Sequence, residues 1–140
     1  MVDEIRKNLF LGRLTDNRKF DGVKICVLEH EEWNRSKIDP ETIVIPIIKT
    51  KNLRLRALYY QGIANEINMD AIVRLIKEYL NKDQKVLVHC EIGKERSPLM
   101  IAYYLHKTEE LPLEIAFNEV KRLHPKAVNR LYWLKDEALS

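Results

Sequence analysis

Residues 86–97 read Val-Leu-Val-His-Cys-Glu-Ile-Gly-Lys-Glu-Arg-Ser, and several of these side chains suit one reaction. Cys90 is a nucleophile when its sulfur is anionic, and aligned backbone N–H groups beside a helix N-terminus favour the thiolate. Arg96 offers a planar guanidinium able to grip two oxygens of a phosphate, including the equatorial oxygens that carry charge in the transition state of phosphoryl transfer. Ser97 can donate its hydroxyl to the sulfur as it leaves a phosphocysteine. Gly93 lets the backbone approach an anion closely or take a positive φ. Together they imply displacement at the phosphorus of a phosphate ester.

That chemistry needs elements to aim it. The apolar run ending at His89 reads as a buried strand, a seven-residue turn follows, and a helix opens near Arg96. Ligands in α/β folds sit beyond the carboxyl ends of strands, and a helix N-terminus already attracts anions. A loop there can turn successive N–H groups onto a tetrahedral dianion. Glu91, Ile92, Gly93, Lys94, Glu95 and Arg96 are thus the expected phosphate-binding loop.

Further strands are expected at Asn8–Gly12, Val23–Leu28 and Thr42–Ile48, with Leu53–Tyr60, where apolar and basic residues alternate, as a half-exposed fifth. A helix is expected from Asn68, its N-cap, with Asp70 in the first turn and Ala71, Ile72, Leu75, Ile76, Tyr79 and Leu80 on one face. Others are expected over Ser97–Lys107, from Pro112 to a stop before Pro125, and over Arg130–Leu139. The predicted fold class is α/β: a single small domain over residues 1–140, with a mixed, mostly parallel sheet of four to five strands flanked by helices.

Composition narrows the function classes. A chain of 140 residues can bury a core without staples. Its two cysteines, Cys26 and Cys90, make neither a metal spacing nor a disulfide framework, so a reducing, cytoplasmic setting is expected. No apolar run reaches the length of a membrane helix, and a net charge of +3 is too small to argue for a nucleic-acid partner. A lean towards Lys, Glu, Arg and Ile, with little Gln, hints at a thermophilic source.

The pattern His89-Cys90-x5-Arg96-Ser97, with glycine three residues after the cysteine, resembles the signature of the protein tyrosine phosphatase superfamily, especially its compact dual-specificity branch. Residues 8–12 and 22–28 are similar to that branch's first two strands, residues 102–105 to its post-loop helix, and residues 119–125 to its Val-x-x-x-Arg/His-Pro segment. The resemblance implies Cys90 as nucleophile, Arg96 as phosphate clamp, Ser97 as donor to the leaving thiolate and His89 as a residue tuning the cysteine. It implies no metal and no cofactor, and a phosphorylated protein as substrate; a monomer is expected.

One expected part is missing. The family's general acid, usually Asp, precedes the cysteine by about 25–35 residues, yet no Asp or Glu occurs from Thr42 to Asn65. The candidate replacements are Glu66, then Glu31 or Glu32 in the cluster after the second strand, then Asp70; absence of any protein acid is the remaining alternative. Gln61 could orient the water that hydrolyses a phosphocysteine. A missing acid predicts a preference for aryl over alkyl phosphates, because aryl leaving groups need little protonation.

Lys94 resembles the lysine of phosphoinositide-directed members, with Lys94 and Glu95 as a solvated rim pair the plainer reading. The basic residues Lys49, Lys51, Arg54 and Arg56 read as the wet face of an edge strand, or as an attractor of acidic phosphopeptides or an RNA 5′ end. Trp33, Tyr59 and Tyr60 are candidate pocket-wall aromatics. Cys26 reads as core, and His106 and His124 suggest nothing. The alternatives to a protein phosphatase are an RNA 5′-triphosphatase, a phosphoinositide phosphatase, or a phosphate-binding module that has lost turnover.

Overall fold

A computed structural model describes residues 2–29, 38–48 and 55–134, with the side chains of 55–59 outside that description. Five strands form one sheet: β1 (Asp3–Arg6), β2 (Leu9–Gly12), β3 (Val23–Cys26), β4 (Ile43–Val44) and β5 (Val86–His89). Their spatial order is β1-β2-β5-β3-β4. β1 runs antiparallel to β2, and every other pairing is parallel. The helices are α1 (Leu55–Asn81), α2 (Arg96–Glu109) and α3 (Leu113–Leu123).

β5 is central because it can be apolar on both faces. Val86, Leu87 and Val88 are each fully buried, as a parallel strand covered on two sides requires. Its register aligns His89 with Gly12 of β2 and with Cys26 of β3. The loops leaving these three strands therefore emerge side by side at one carboxyl edge. α2 starts at that edge and runs back through the core, with every residue from Arg96 to Leu105 buried. Each fully buried Leu or Ile on it contributes about 1.5–3 kcal/mol. α3 follows Pro112 and covers α2 with Ala116, Phe117 and Val120.

Four expectations need correction. Residues 55–60 are helical, not a strand. Buried Gly62, Asn65, Met69, Ile72 and Ile76 repeat every three or four residues, so the inward face of α1 starts well before Asn68, but a glycine and an asparagine lie where apolar residues were sought. Asn68 accordingly caps nothing; its amide donates to the Pro46 carbonyl at 2.9 Å. Ordered strand in the Thr42–Ile48 run is limited to Ile43–Val44, although Ile45 and Ile47 still donate to the carbonyls of Cys26 and Val27. Pro46, lacking an N–H, breaks the ladder between them. The expected helix from Arg130 is a single 3-10 turn, Leu131–Trp133, and residues 135–140 lie outside the described structure.

β1 was not foreseen. It carries only one inward apolar residue, Ile5, and joins β2 through a tight turn in which Asn8 takes φ 68°, a conformation asparagine tolerates. Arg6 of β1 bridges Glu109 of α2 at 2.7 Å and Glu119 of α3 at 3.2 Å, clamping the N-terminal hairpin to both helices.

Asn65 is the main polar tie inside the core. Its side chain accepts from the Ile48 N–H at 2.7 Å and donates to the carbonyls of Ile48 (3.2 Å) and Trp133 (3.4 Å). Asn65→Ala strips partners from buried backbone groups and should lower unfolding stability by about 2–4 kcal/mol. Urea denaturation checks this: the midpoint should fall with the slope unchanged.

Candidate active site

The turn from Cys90 to Arg96 is held from outside by its own carbonyls. His89 Nδ1 lies 3.0 Å from the Cys90 oxygen. The Leu14 N–H donates to Glu91 O at 2.9 Å and the Val128 N–H to Lys94 O at 2.7 Å. His124 Nε2 lies 2.6 Å from Gly93 O. Across a trans peptide the N–H points opposite to the C=O. With those four carbonyls turned outward, the N–H groups of Glu91, Ile92, Lys94 and Glu95 face the other way, into the hollow of the turn. Gly93 makes the bend at φ +74°, where a Cβ would sit 3.1 Å from Gly12 O.

Cys90 is buried, and its sulfur lies 3.1 Å from Ser97 Oγ. Once the sulfur is ionised, the hydroxyl is the donor of that pair. Behind the cysteine stands an ordered polar relay. Asn17 Oδ1 accepts from the Asp39 N–H at 2.6 Å, which fixes the amide so that its nitrogen faces Thr42 Oγ1 at 3.0 Å and His89 Nε2 at 2.9 Å. An amide nitrogen only donates, so Nε2 accepts and the ring proton sits on Nδ1, donating to the Cys90 carbonyl. Burial holds the His89 ring below its ordinary 6.5, outweighing the Cys90 carbonyl and the Asp16 charge, which push it up. His89 is thus a neutral ring with one defined tautomer.

Arg96 opens α2 with its side chain almost wholly buried, and its Nη1 lies 3.8 Å from Glu29 Oε2. Glu29 belongs to the acidic cluster after β3 but was not singled out there. It supplies a counter-charge at the edge where a phosphate dianion would meet the guanidinium. At the rim, Lys94 is exposed, whereas Glu95 is not its solvated partner as expected: Glu95 accepts from Arg130 Nε at 2.8 Å. That guanidinium lies 5.8 Å from the Trp133 ring centre. Glu95 is thus drawn to Arg130, while Glu91 and Lys94 both stand exposed on the loop.

The remaining sequence candidates are more scattered. Glu66 is half-buried in the interior of α1, beside the inward-facing Asn65, and not near a helix start. Asp70 accepts from Tyr103 Oη at 2.5 Å, tying α1 to α2. Gln61 lies near the start of α1 with a buried Oε1 that has no hydrogen-bond partner among the described residues. Glu31, Glu32, Trp33, Lys49, Lys51 and Arg54 lie outside the described residues, as do the side chains of Arg56 and Tyr59; Tyr60 is exposed. Among the described residues no group of three or more His, Cys, Asp or Glu side chains could hold a metal ion, and no helix is long and apolar enough to cross a membrane. His124, set aside at first, bonds the loop directly. The signal for it was its place before Pro125; the signal for Asn17 was nil, since a lone asparagine after a strand reads as a turn residue.

The family model for the dual specificity phosphatase catalytic domain matches residues 15–135. The chain belongs to that family. Relatives of this dual specificity phosphatase domain include human dual specificity protein phosphatase 12, 37% identical over 60 residues, which are 43% of this chain and 18% of that protein. Another is human phosphatidylglycerophosphatase and protein-tyrosine phosphatase 1, 26% identical over 112 residues, 80% of this chain and 49% of that one. The matched segments thus span half or less of these curated relatives. Among solved structures, human tyrosine phosphatase-like serine/threonine/tyrosine-interacting protein aligns with TM-score 0.71 at 19% identity, covering 99% of this chain and 93% of that chain. Tk-PTP in its active form aligns with TM-score 0.69 at 21% identity, covering 99% and 92%. These likenesses show a common fold, the predicted α/β architecture with a mixed five-stranded sheet.

The state of His89 has a measurable signature. A histidine whose value is depressed by folding binds more protons when unfolded, so stability rises with pH across that window. The His89 contribution to stability should be level above the ordinary value of 6.5 and fall as pH drops below it, until the depressed folded value is passed. Urea melts from pH 8 to pH 5 check this, and His89→Gln, which can still donate to Cys90 O, should flatten the slope.

Proposed function

We propose that this domain hydrolyses phosphate monoesters through a phosphocysteine on Cys90, with phosphotyrosine of proteins as its substrate. The observation that carries the reading is the Cys90–Ser97 contact at 3.1 Å inside a turn whose Cys90, Glu91, Gly93 and Lys94 carbonyls are held outward. In the first step the Cys90 thiolate attacks phosphorus, an S–P bond forms, and the bond from phosphorus to the ester oxygen breaks. Inward N–H groups and Arg96 hold the three equatorial oxygens, where charge concentrates. In the second step water attacks the same phosphorus, inorganic phosphate departs and the sulfur leaves as thiolate, accepting from Ser97.

The acid remains Glu66, Glu31 or Glu32, Asp70, or solvent. Asp70 is the weakest of these, being occupied by Tyr103. A water-orienting role for Gln61 is supported by its buried oxygen, which has no partner among the described residues. A phenolate leaves without much help from an acid, which is why aryl esters are the favoured class.

A lipid phosphate monoester is a second reading. Exposed Lys94, with Glu95 taken up by Arg130, suits an anionic headgroup, and one relative is named a phosphatidylglycerophosphatase.

The test is hydrolysis of a small aryl phosphate with a chelator present throughout. Wild type should turn over, and Cys90→Ser should show none. Arg96→Lys, which keeps charge but loses the two-point grip, should lose about 10²–10³-fold in kcat/KM. Aryl esters should exceed alkyl esters by about 10²-fold or more; equal rates would mean an efficient acid. A wild type inert on aryl phosphates and phosphopeptides but active on phosphatidylglycerophosphate would select the lipid reading.

A further inference from the structure

His124 is fully enclosed at the end of α3, and both of its ring nitrogens face acceptors. Nδ1 lies 2.5 Å from Asp3 Oδ2 of β1, and Nε2 lies 2.6 Å from the Gly93 carbonyl. Carboxylate and carbonyl oxygens accept only. A neutral imidazole carries one N–H and can serve one of them; the ring satisfies both only with a proton on each nitrogen. It then carries a positive charge directly beneath the phosphate loop. The charged groups around it are Asp3 from β1, Arg13 from the turn after β2 and Lys126 after α3; with Pro125 and the ring itself they line a shallow cleft of about 360 Å³. Asp3 alone among them favours the cation.

The acceptor matters as much as the donor. Gly93 has no Cβ and sits at φ +74°, so it restrains its own peptide less than any other residue would. Glycine leaves the Gly93–Lys94 peptide freer to turn over, which would swing a carbonyl into the hollow and an N–H out of it. We propose that His124 is a positioning residue for phosphate binding: doubly protonated and held by Asp3, it keeps the Gly93 carbonyl outward and so keeps the Lys94 N–H aimed at the phosphate. The proposal rests on the reading of this loop as the phosphate site. It adds that the loop's geometry depends on a cation outside the Cys90–Ser97 motif and on a carboxylate in the first strand.

The probe is inorganic tungstate, a phosphate-shaped dianion, titrated into the 140-residue protein carrying Cys90→Ser so that thiol chemistry plays no part. Adding His124→Ala should raise the tungstate Kd about 10–100-fold, the loss of one charge-assisted donor together with a nearby charge. His124→Gln offers a donor to Gly93 without the charge and should recover part of that loss. Asp3→Asn should fall between wild type and His124→Ala. With Cys90 restored, His124→Ala should slow alkylation of Cys90 by iodoacetamide at neutral pH and move its rate-against-pH curve to higher pH, a change that loosened packing elsewhere would not produce. Unchanged tungstate affinity and an unchanged alkylation curve in a cooperatively melting His124→Ala protein would overturn the proposal. Should His124→Ala fail to fold, wild-type affinity in both His124→Gln and Asp3→Asn would overturn it equally. A wild type that binds tungstate yet hydrolyses no phosphate ester would count against phosphocysteine turnover and leave the His124 result to be judged on its own.

Discussion

The outward bonding of the Cys90–Arg96 carbonyls is the constraint on which the rest of this molecule turns. A loop that presents several N–H groups to one point crowds like dipoles together, and nothing within seven residues offsets that cost. The offset comes from outside: Leu14 after β2, His89 ending β5, His124 ending α3, and Val128 beyond it each hold one carbonyl. Each such bond contributes about 0.5–1.5 kcal/mol on its own. On the proposed reading their joint effect is pre-organisation, because a phosphate dianion would meet donors already in place.

That demand explains the sheet order. Placing β5 between β2 and β3 brings Gly12, His89 and Cys26 level, so the flanking loops reach the turn from both sides. Arg13 and Leu14 arrive from one neighbour and Glu29 from the other. The buried start of α2 then sets Arg96 and Ser97 on a rigid element beside the sulfur. The His89 relay extends the same logic inward, since Asn17 fixes the tautomer that the Cys90 carbonyl needs.

The motif, the central strand and the helices α2 and α3 were legible because each has an unambiguous signal. β5 is an unbroken apolar run, and Pro112 and Pro125 bracket α3. The missed parts share a physical cause. β1 earns its place through Arg6 and Asp3, whose partners are far away in the chain, so no local pattern announces it. The early half of α1 hid behind Asn65, a polar residue that is buried because it bonds two backbone carbonyls and an N–H. Alternation over Leu53–Tyr60 is as compatible with one helix face as with a strand when the window is that short. Glu95 reads as half of a solvated pair until Arg130 comes into view. Roles set by tertiary partners stay silent in a one-dimensional pattern, whereas roles set by neighbours in sequence do not.

The contacts of β1 also bear on when the site comes into being. Asp3 meets His124 across 121 positions of chain, and Arg6 meets Glu109 and Glu119 across 103 and 113. Closing loops of that length is entropically costly and slow compared with forming the local turns of α2. A ribosome releasing this chain from its N-terminus exposes Cys90 well before it exposes His124 or Val128. During that interval the central sheet can assemble, but the far limb of the loop has no external donors. On the proposed reading, the nucleophile is synthesised before the residues that hold its loop in shape.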